Sequence, residues 1–136
     1  MSELSYNELR KGNLLYFPFI SGNVEVIGIN AMYGANDHYF NKLSVMEGIN
    51  MYYETIEVFK PIPLTEECLI KFGFKYDIET KTYHTPSFYW FSISLYAKDG
   101  AGFCIENVQY KFIEHVHQLQ NLYFALTGIE LQQKNN

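Results

Sequence analysis

Short runs of alternating apolar and polar side chains, separated by turns rich in glycine, asparagine and serine, fill the first sixty residues. Residues 14–20 form a strand-like run broken by Pro18, which marks an edge strand or a bend. The turn Ser21-Gly22-Asn23 leads into a second strand over 24–29, and the two read as a hairpin. Turns at 34–37 and at Glu47-Gly48 bound a third strand, 38–46, and a fourth, 51–59, in which neither face is purely polar. Four or five short strands joined this tightly predict a small SH3-like β-barrel.

Pro61-Ile62-Pro63 is a stiff connector, because each proline lacks a donor and biases its predecessor to extended geometry. It is the one visible joint, separating lobes 1–60 and 61–136 or bending one continuous domain. A helix over 66–72 follows. Thr65 stands at the N-cap, Glu66-Glu67 favour the positive end of the dipole, and Leu64 can staple onto Leu69. Gly73 is the stop, with Phe74 beyond it able to touch Leu69.

Residues 74–111 return to strands. Segments 75–78 and 81–84 can pair through Glu79-Thr80, and 88–96 is a long β run. Its Tyr89, Phe91, Ile93 and Leu95 form an apolar row, and Phe88, Trp90, Ser92, Ser94 and Tyr96 form the other. Asp99-Gly100 signals a hairpin and 103–106 pairs back. The last periodic segment has Val116, Leu119, Tyr123 and Leu126 at i, i+3, i+7 and i+10, widened by Leu122. This is a stripe that faces a sheet, with Phe124 and Ala125 off it and Gly128 as the stop. The tail, 132–136, is polar. The predicted class is α+β: an SH3-like barrel half, a short capped helix, then an antiparallel β-meander packed by a C-terminal helix.

Composition narrows the function. The chain of 136 residues is 48% hydrophobic and 18% aromatic, enough to bury a core and to exclude intrinsic disorder. Its 12 tyrosines and 11 phenylalanines favour strands, and tyrosine also favours interfaces. The formal net charge is −5; basic residues are scattered and Arg10 is the lone arginine, so direct nucleic-acid binding is disfavoured and a basic partner surface favoured. Cys68 and Cys104 are too few and too far apart for a disulfide framework or zinc ribbon and read as reduced thiols. The N-terminus shows neither the basic region nor the apolar run of a signal peptide, and no apolar stretch approaches the roughly 20 residues of a membrane span, which predicts a soluble intracellular protein.

Motifs for chemistry are wanting. GxSxG, P-loop and GxGxxG patterns do not occur. His115 and His117 are spaced i, i+2, which on a regular helix places them about 200° apart and unable to share a metal. Cys68, third in a short helix, has a position that lowers a thiol pKa but no oxyanion-hole signature beside it. Glu54 with Glu57, and Asp77 with Glu79, are carboxylate pairs of the sort a glycosidase uses, yet solvated strand positions account for them better. The expectation is a non-enzymatic protein without cofactor or metal. Its contact residues are exposed members of Phe88, Trp90 and Tyr96, with Glu54, Glu57, Asp77 and Glu79 as an acidic face.

Three blocks resemble a known family. "KPIPLTEECLIKFGF" (60–74), "HVHQLQNLYFALTGIEL" (115–131) and the opening "ELRKGNLLYF" (8–17) are similar to signature segments of small proteins carried by phages, prophages and mobile elements of Bacteroidota. Together they cover about a third of the chain. The family often has tryptophan where this chain has Cys68, and Glu-Glu-Leu where it has Ile129-Glu130-Leu131. It has no established catalytic residues to transfer. The resemblance implies a protein of the bacterial host cytoplasm that inhibits host machinery, most concretely an anti-CRISPR acting on a CRISPR–Cas effector or its guide-RNA complex through a basic surface. Homo-oligomers are compatible with it, and a housekeeping module binding DNA or RNA through the barrel-like half is the alternative.

Overall fold

The computed structural model describes residues 4, 8–33, 39–85, 87–88, 90–95, 102–105 and 108–133. The expected turns at 34–37 and 99–100, the row members Tyr89 and Tyr96, and the side chain of Cys104 lie outside the described residues.

The fold is α+β. Four strands, β1 (Leu14–Phe17), β2 (Gly22–Tyr33), β3 (Tyr39–Glu47) and β4 (Asn50–Thr55), form an antiparallel meander in chain order. Alternation decides which face is buried: Leu15 opposes Val24 and Val26 opposes Val45, and these side chains with Leu43, Phe17 and Phe59 make one core. The fourth strand ends at Thr55, not at 59 as its β-branched residues suggest. Ile56–Val58 winds into a 3-10 turn that sinks Ile56 and Phe59 into the core, the Phe59 amide donating to the Ile56 carbonyl at 3.2 Å. Lys60 then exchanges two backbone hydrogen bonds of 2.9 Å with Tyr16, so the chain returns to the opposite edge of the sheet at β1.

Helix α1 (Glu66–Lys71) has the ends that its sequence predicts. Thr65 accepts a hydrogen bond from the Cys68 amide through its side chain, and Leu64 packs against the cluster that contains Leu69. Gly73, at φ +91°, lets the Phe74 amide turn back to the Leu69 carbonyl at 2.9 Å. Thr65→Ala is expected to lower stability by about 1 kcal/mol, seen as a drop of a few degrees in the thermal midpoint by circular dichroism, because the cap is solvent-exposed and what is lost is its bond from the Cys68 amide with the weaker one to the Cys68 thiol.

A second antiparallel meander follows: β5 (Lys75–Asp77), β6 (Thr82–His84), β7 (Ser92–Ser94), β8 (Gly102–Ile105) and β9 (Val108–Phe112). Tyr83, Ile93 and Phe103 stand in register on one face, and α2 (Val116–Thr127) covers it with Val116, Leu119 and Tyr123. The long strand expected over 88–96 is cut to three residues. Phe88 and Phe91, an odd number of positions apart, would point to opposite faces of a strand, yet both pack against Tyr123, with ring centroids at 5.8 and 5.0 Å. A turn closed by the Phe91 amide on the Phe88 carbonyl permits this. Leu126, expected in the buried stripe, is half-exposed near the helix end, where Gly128 at φ +75° stops α2.

Candidate protein interface

The register of the first sheet puts two hairpin tips together. β1 and β3 run the same way, both antiparallel to β2, so the 18–21 and 48–49 turns leave the same end of the meander. Phe17 pairs with Gly22, Glu25 with Met46 and Glu47 with Asn50, which leaves the 48–49 tip about two residues short of the 18–21 tip at that end. At that end Phe19 is 88% exposed and Ile49 95%, with Met51 64% exposed beside them. Phe19 is not a loose side chain: its ring stacks on buried Phe17 at 5.9 Å, and Phe17 in turn meets Tyr52 of β4 at 5.3 Å. Tyr53, on the outer face with Met51, lies under the Lys42 ammonium at 5.0 Å. Large apolar residues held at the end of a sheet and left in water are a docking surface in form.

Charge is distributed with equal asymmetry. Residues 12–59 carry five carboxylates and one lysine, whereas the rest of the chain carries ten carboxylates and nine lysine or arginine side chains. Four of the five net negative charges therefore fall within the sequence stretch 12–59. Glu25 and Glu47 stand nearest the tips, exposed, and Glu54 and Glu57 continue down the β4 edge, also exposed.

The other expected contact residues are divided by the structure. Trp90 is 43% exposed, but Phe88 is half-buried, wedged between Trp90 and Tyr123. Asp77 spends its carboxylate on the fold: Oδ1 accepts from the Glu79 amide at 2.9 Å to close the β5–β6 turn, and Oδ2 lies 3.6 Å from His84 Nε2. Glu79 is exposed at that turn. The sequence signal that could have found the tips is three bulky apolar side chains, Phe19, Ile20 and Ile49, inside turns that otherwise read as Pro, Ser, Gly and Asn.

A second polar feature ties the two halves. His117, Gln120, Asn121 and Phe124 occupy i, i+3, i+4 and i+7 on α2, a stripe that faces residues 8–14. Gln120, 2% exposed, accepts from the Leu14 amide at 2.8 Å through Oε1 and donates to the Gly12 carbonyl at 2.9 Å through Nε2. Asn121 accepts from Asn13 Nδ2 at 2.8 Å and donates to the Glu8 carbonyl at 2.7 Å. The Arg10 guanidinium pairs with Glu130, reaches the Gln120 carbonyl at 3.3 Å and lies 4.4 Å over the Phe124 ring.

The histidines adopt an arrangement different from the helical one. His115 is the extended N-cap residue, outside the helix, so its ring and that of His117 stack nearly parallel at 5.8 Å. A metal sits in the plane of each imidazole it binds, and stacked planes offer it no common position; no metal-binding group of His, Cys, Asp or Glu occurs among the described residues. His117 is 1% exposed with Nε2 3.5 Å from Glu8 Oε1. Burial lowers its pKa, and the His115 ring lowers it further, while Glu8 pulls the other way. Cys68 is half-buried, with Sγ 3.3 Å from its capping Thr65 hydroxyl.

Beside the stripe lies an open cleft of about 480 Å³ lined by Lys11, Gly12, Glu25, Gln120, Glu130 and Leu131, whose most buried polar group, Gln120, is already engaged. No helix among the described residues is long and apolar enough to cross a membrane. No family model, no curated protein and no solved structure matches the chain.

Proposed function

We propose that this is a non-enzymatic binding protein of the bacterial cytoplasm that docks the paired hairpin tips of its first sheet on a basic protein surface, most concretely as an inhibitor of a CRISPR–Cas effector or its guide-RNA complex. The coincidence of exposed Phe19, Ile49 and Met51 with the charge excess of the same sheet supports this most directly. Apolar anchors supply affinity once desolvated, and the surrounding carboxylates steer a cationic partner and repel nucleic acid and anionic lipid. Phage and mobile-element kinship, suggested by the three sequence blocks, supplies the defence-system context. We also read the first half as a small SH3-like barrel, on the strength of the 3-10 turn after β4 and the Lys60 bridge back to β1.

A purified Bacteroidota effector carrying its guide RNA is expected to bind the immobilised protein and to lose target cleavage. Phe19→Ser with Ile49→Ser should weaken that binding about thirtyfold, roughly 1 kcal/mol for each anchor, with circular dichroism unchanged because both side chains are in water. Absence of binding, together with unchanged phage plating on defended cells, would sink the proposal. A gel shift on DNA or RNA that falls steeply with salt would transfer support to the nucleic-acid alternative.

A further inference from the structure

We propose that the contact between α2 and residues 8–14 is an acid-sensitive latch, opened by protonation of His117 and opposed by Glu8. This goes beyond the binding function above and does not rest on it. The latch is a polar joint, not a core: Gln120, Asn121 and Arg10 hold the chain entering β1 by hydrogen bonds and an ion pair, all of which exchange readily for water once separated. His117 sits at the start of the same stripe and is the one member whose charge changes near neutral pH.

The surroundings of its imidazole decide the direction. Nδ1 has no hydrogen-bond partner among the described residues, so a proton placed there would be buried without an acceptor. Nε2 faces Glu8 at 3.5 Å, a carboxylate about a third exposed and therefore screened. His115, stacked on the other side, adds repulsion when charged. The connector packed on the start of α2 brings Lys60 alone, exposed at its bridge to Tyr16; Glu114, ahead of His115, is exposed, and Arg10 is engaged by Glu130. Among the described residues the only opposite charge facing His117 is thus Glu8, and burial outweighs it. A group whose pKa is lowered in the closed form holds fewer protons there than in the open form below the free-histidine value of about 6.5. Closure is then fully favoured above that pH and is lost as pH falls, by up to about tenfold per unit.

Hydrogen–deuterium exchange on the intact chain at pH 7.5 and 5.5, corrected for the intrinsic rate, tests the latch. Protection of the 10–14 amides, among them Leu14 bonded to Gln120, is expected to fall about tenfold at pH 5.5, while Leu43 and Val45 in the first core keep theirs. His117→Gln should make the 10–14 protection independent of pH. Glu8→Gln should deepen the loss at pH 5.5, since Glu8 is what offsets burial in the closed form, and it keeps the test decisive should His117→Gln fail to fold. Unchanged wild-type protection of 10–14 between the two pH values, persistence of the fall in His117→Gln, or a shallower fall in Glu8→Gln would each overturn the proposal.

Discussion

Phe91→Ala is expected to cost about 3–5 kcal/mol and to leave the second half of the chain near its unfolding threshold. Phe91 is fully buried and its ring meets Phe103 at 4.7 Å, Tyr123 at 5.0 Å and Phe74 at 6.3 Å, so it touches β8, α2 and the segment after α1 at once. These neighbours belong to separate elements that also hold one another, so they cannot collapse into the void together. The cost therefore includes the cavity as well as the lost transfer energy. Urea unfolding followed by far-ultraviolet circular dichroism measures it. The comparison that gives the value meaning is Trp90→Ala. Trp90 packs edge-on against Phe91 at 6.0 Å but keeps much of its surface in water, and its truncation should cost no more than about 1.5 kcal/mol. Equal losses at the two positions would mean that the aromatic cluster is not organised around Phe91.

The parts of this fold that could be read from sequence are those whose causes are local. The ends of α1 follow from Thr65, Glu66-Glu67 and Gly73, all within a few residues of the hydrogen bonds they serve. The hairpins of the first sheet follow from two-residue alternation broken by turn residues. What could not be read depends on contacts distant in the chain. Residues 56–59 look like strand until one knows that Lys60 must reach Tyr16, and 88–91 look like strand until Tyr123 takes both Phe88 and Phe91. The histidine spacing was weighed on a regular helix, and the structure refines this: His115 is the extended cap just ahead of α2 and His117 is buried in its first turn. The acidic face was legible as composition, but Asp77 is drawn into its own turn, while the tip residues Phe19 and Ile49 were hidden because a strand-by-strand reading assigns turns to solvent without asking which side chains they carry. The polar stripe of α2 was present as the complement of its apolar stripe. Hydropathy alone assigns such a stripe to water, although it faces protein in this fold.

Gln120→Leu puts that last point to the test, with an expected loss of about 3–4 kcal/mol despite the gain of an apolar side chain of similar size. The substitution strands two backbone groups. The Leu14 amide loses its acceptor at 2.8 Å and the Gly12 carbonyl loses its donor at 2.9 Å, in a contact where Asn13 beside them is fully buried. Each partly buried backbone group left without its partner costs roughly 1–3 kcal/mol, and leucine can supply neither donor nor acceptor. Asn13 also loses its long 3.5 Å bond to Gln120 Oε1 but keeps the 2.8 Å one to Asn121, so the main damage falls on the two residues on either side of it. Were the stripe merely a solvated helix face, the same change would be worth no more than about 0.5 kcal/mol. Urea unfolding separates these outcomes. Native-state exchange of the Leu14 amide adds the location, because that proton should become fast in the variant while the Val45 amide of β3 stays slow. The size of the loss also bears on how the halves communicate. Leu14 donates its amide to α2, packs its side chain against the second core and opens the strand that carries Phe17 and, two residues further, Phe19. A chain that has lost Gln120 therefore loosens the base of the very hairpin whose tip is exposed for docking, so partner affinity should fall with stability even though residue 120 lies far from the tip in the sequence.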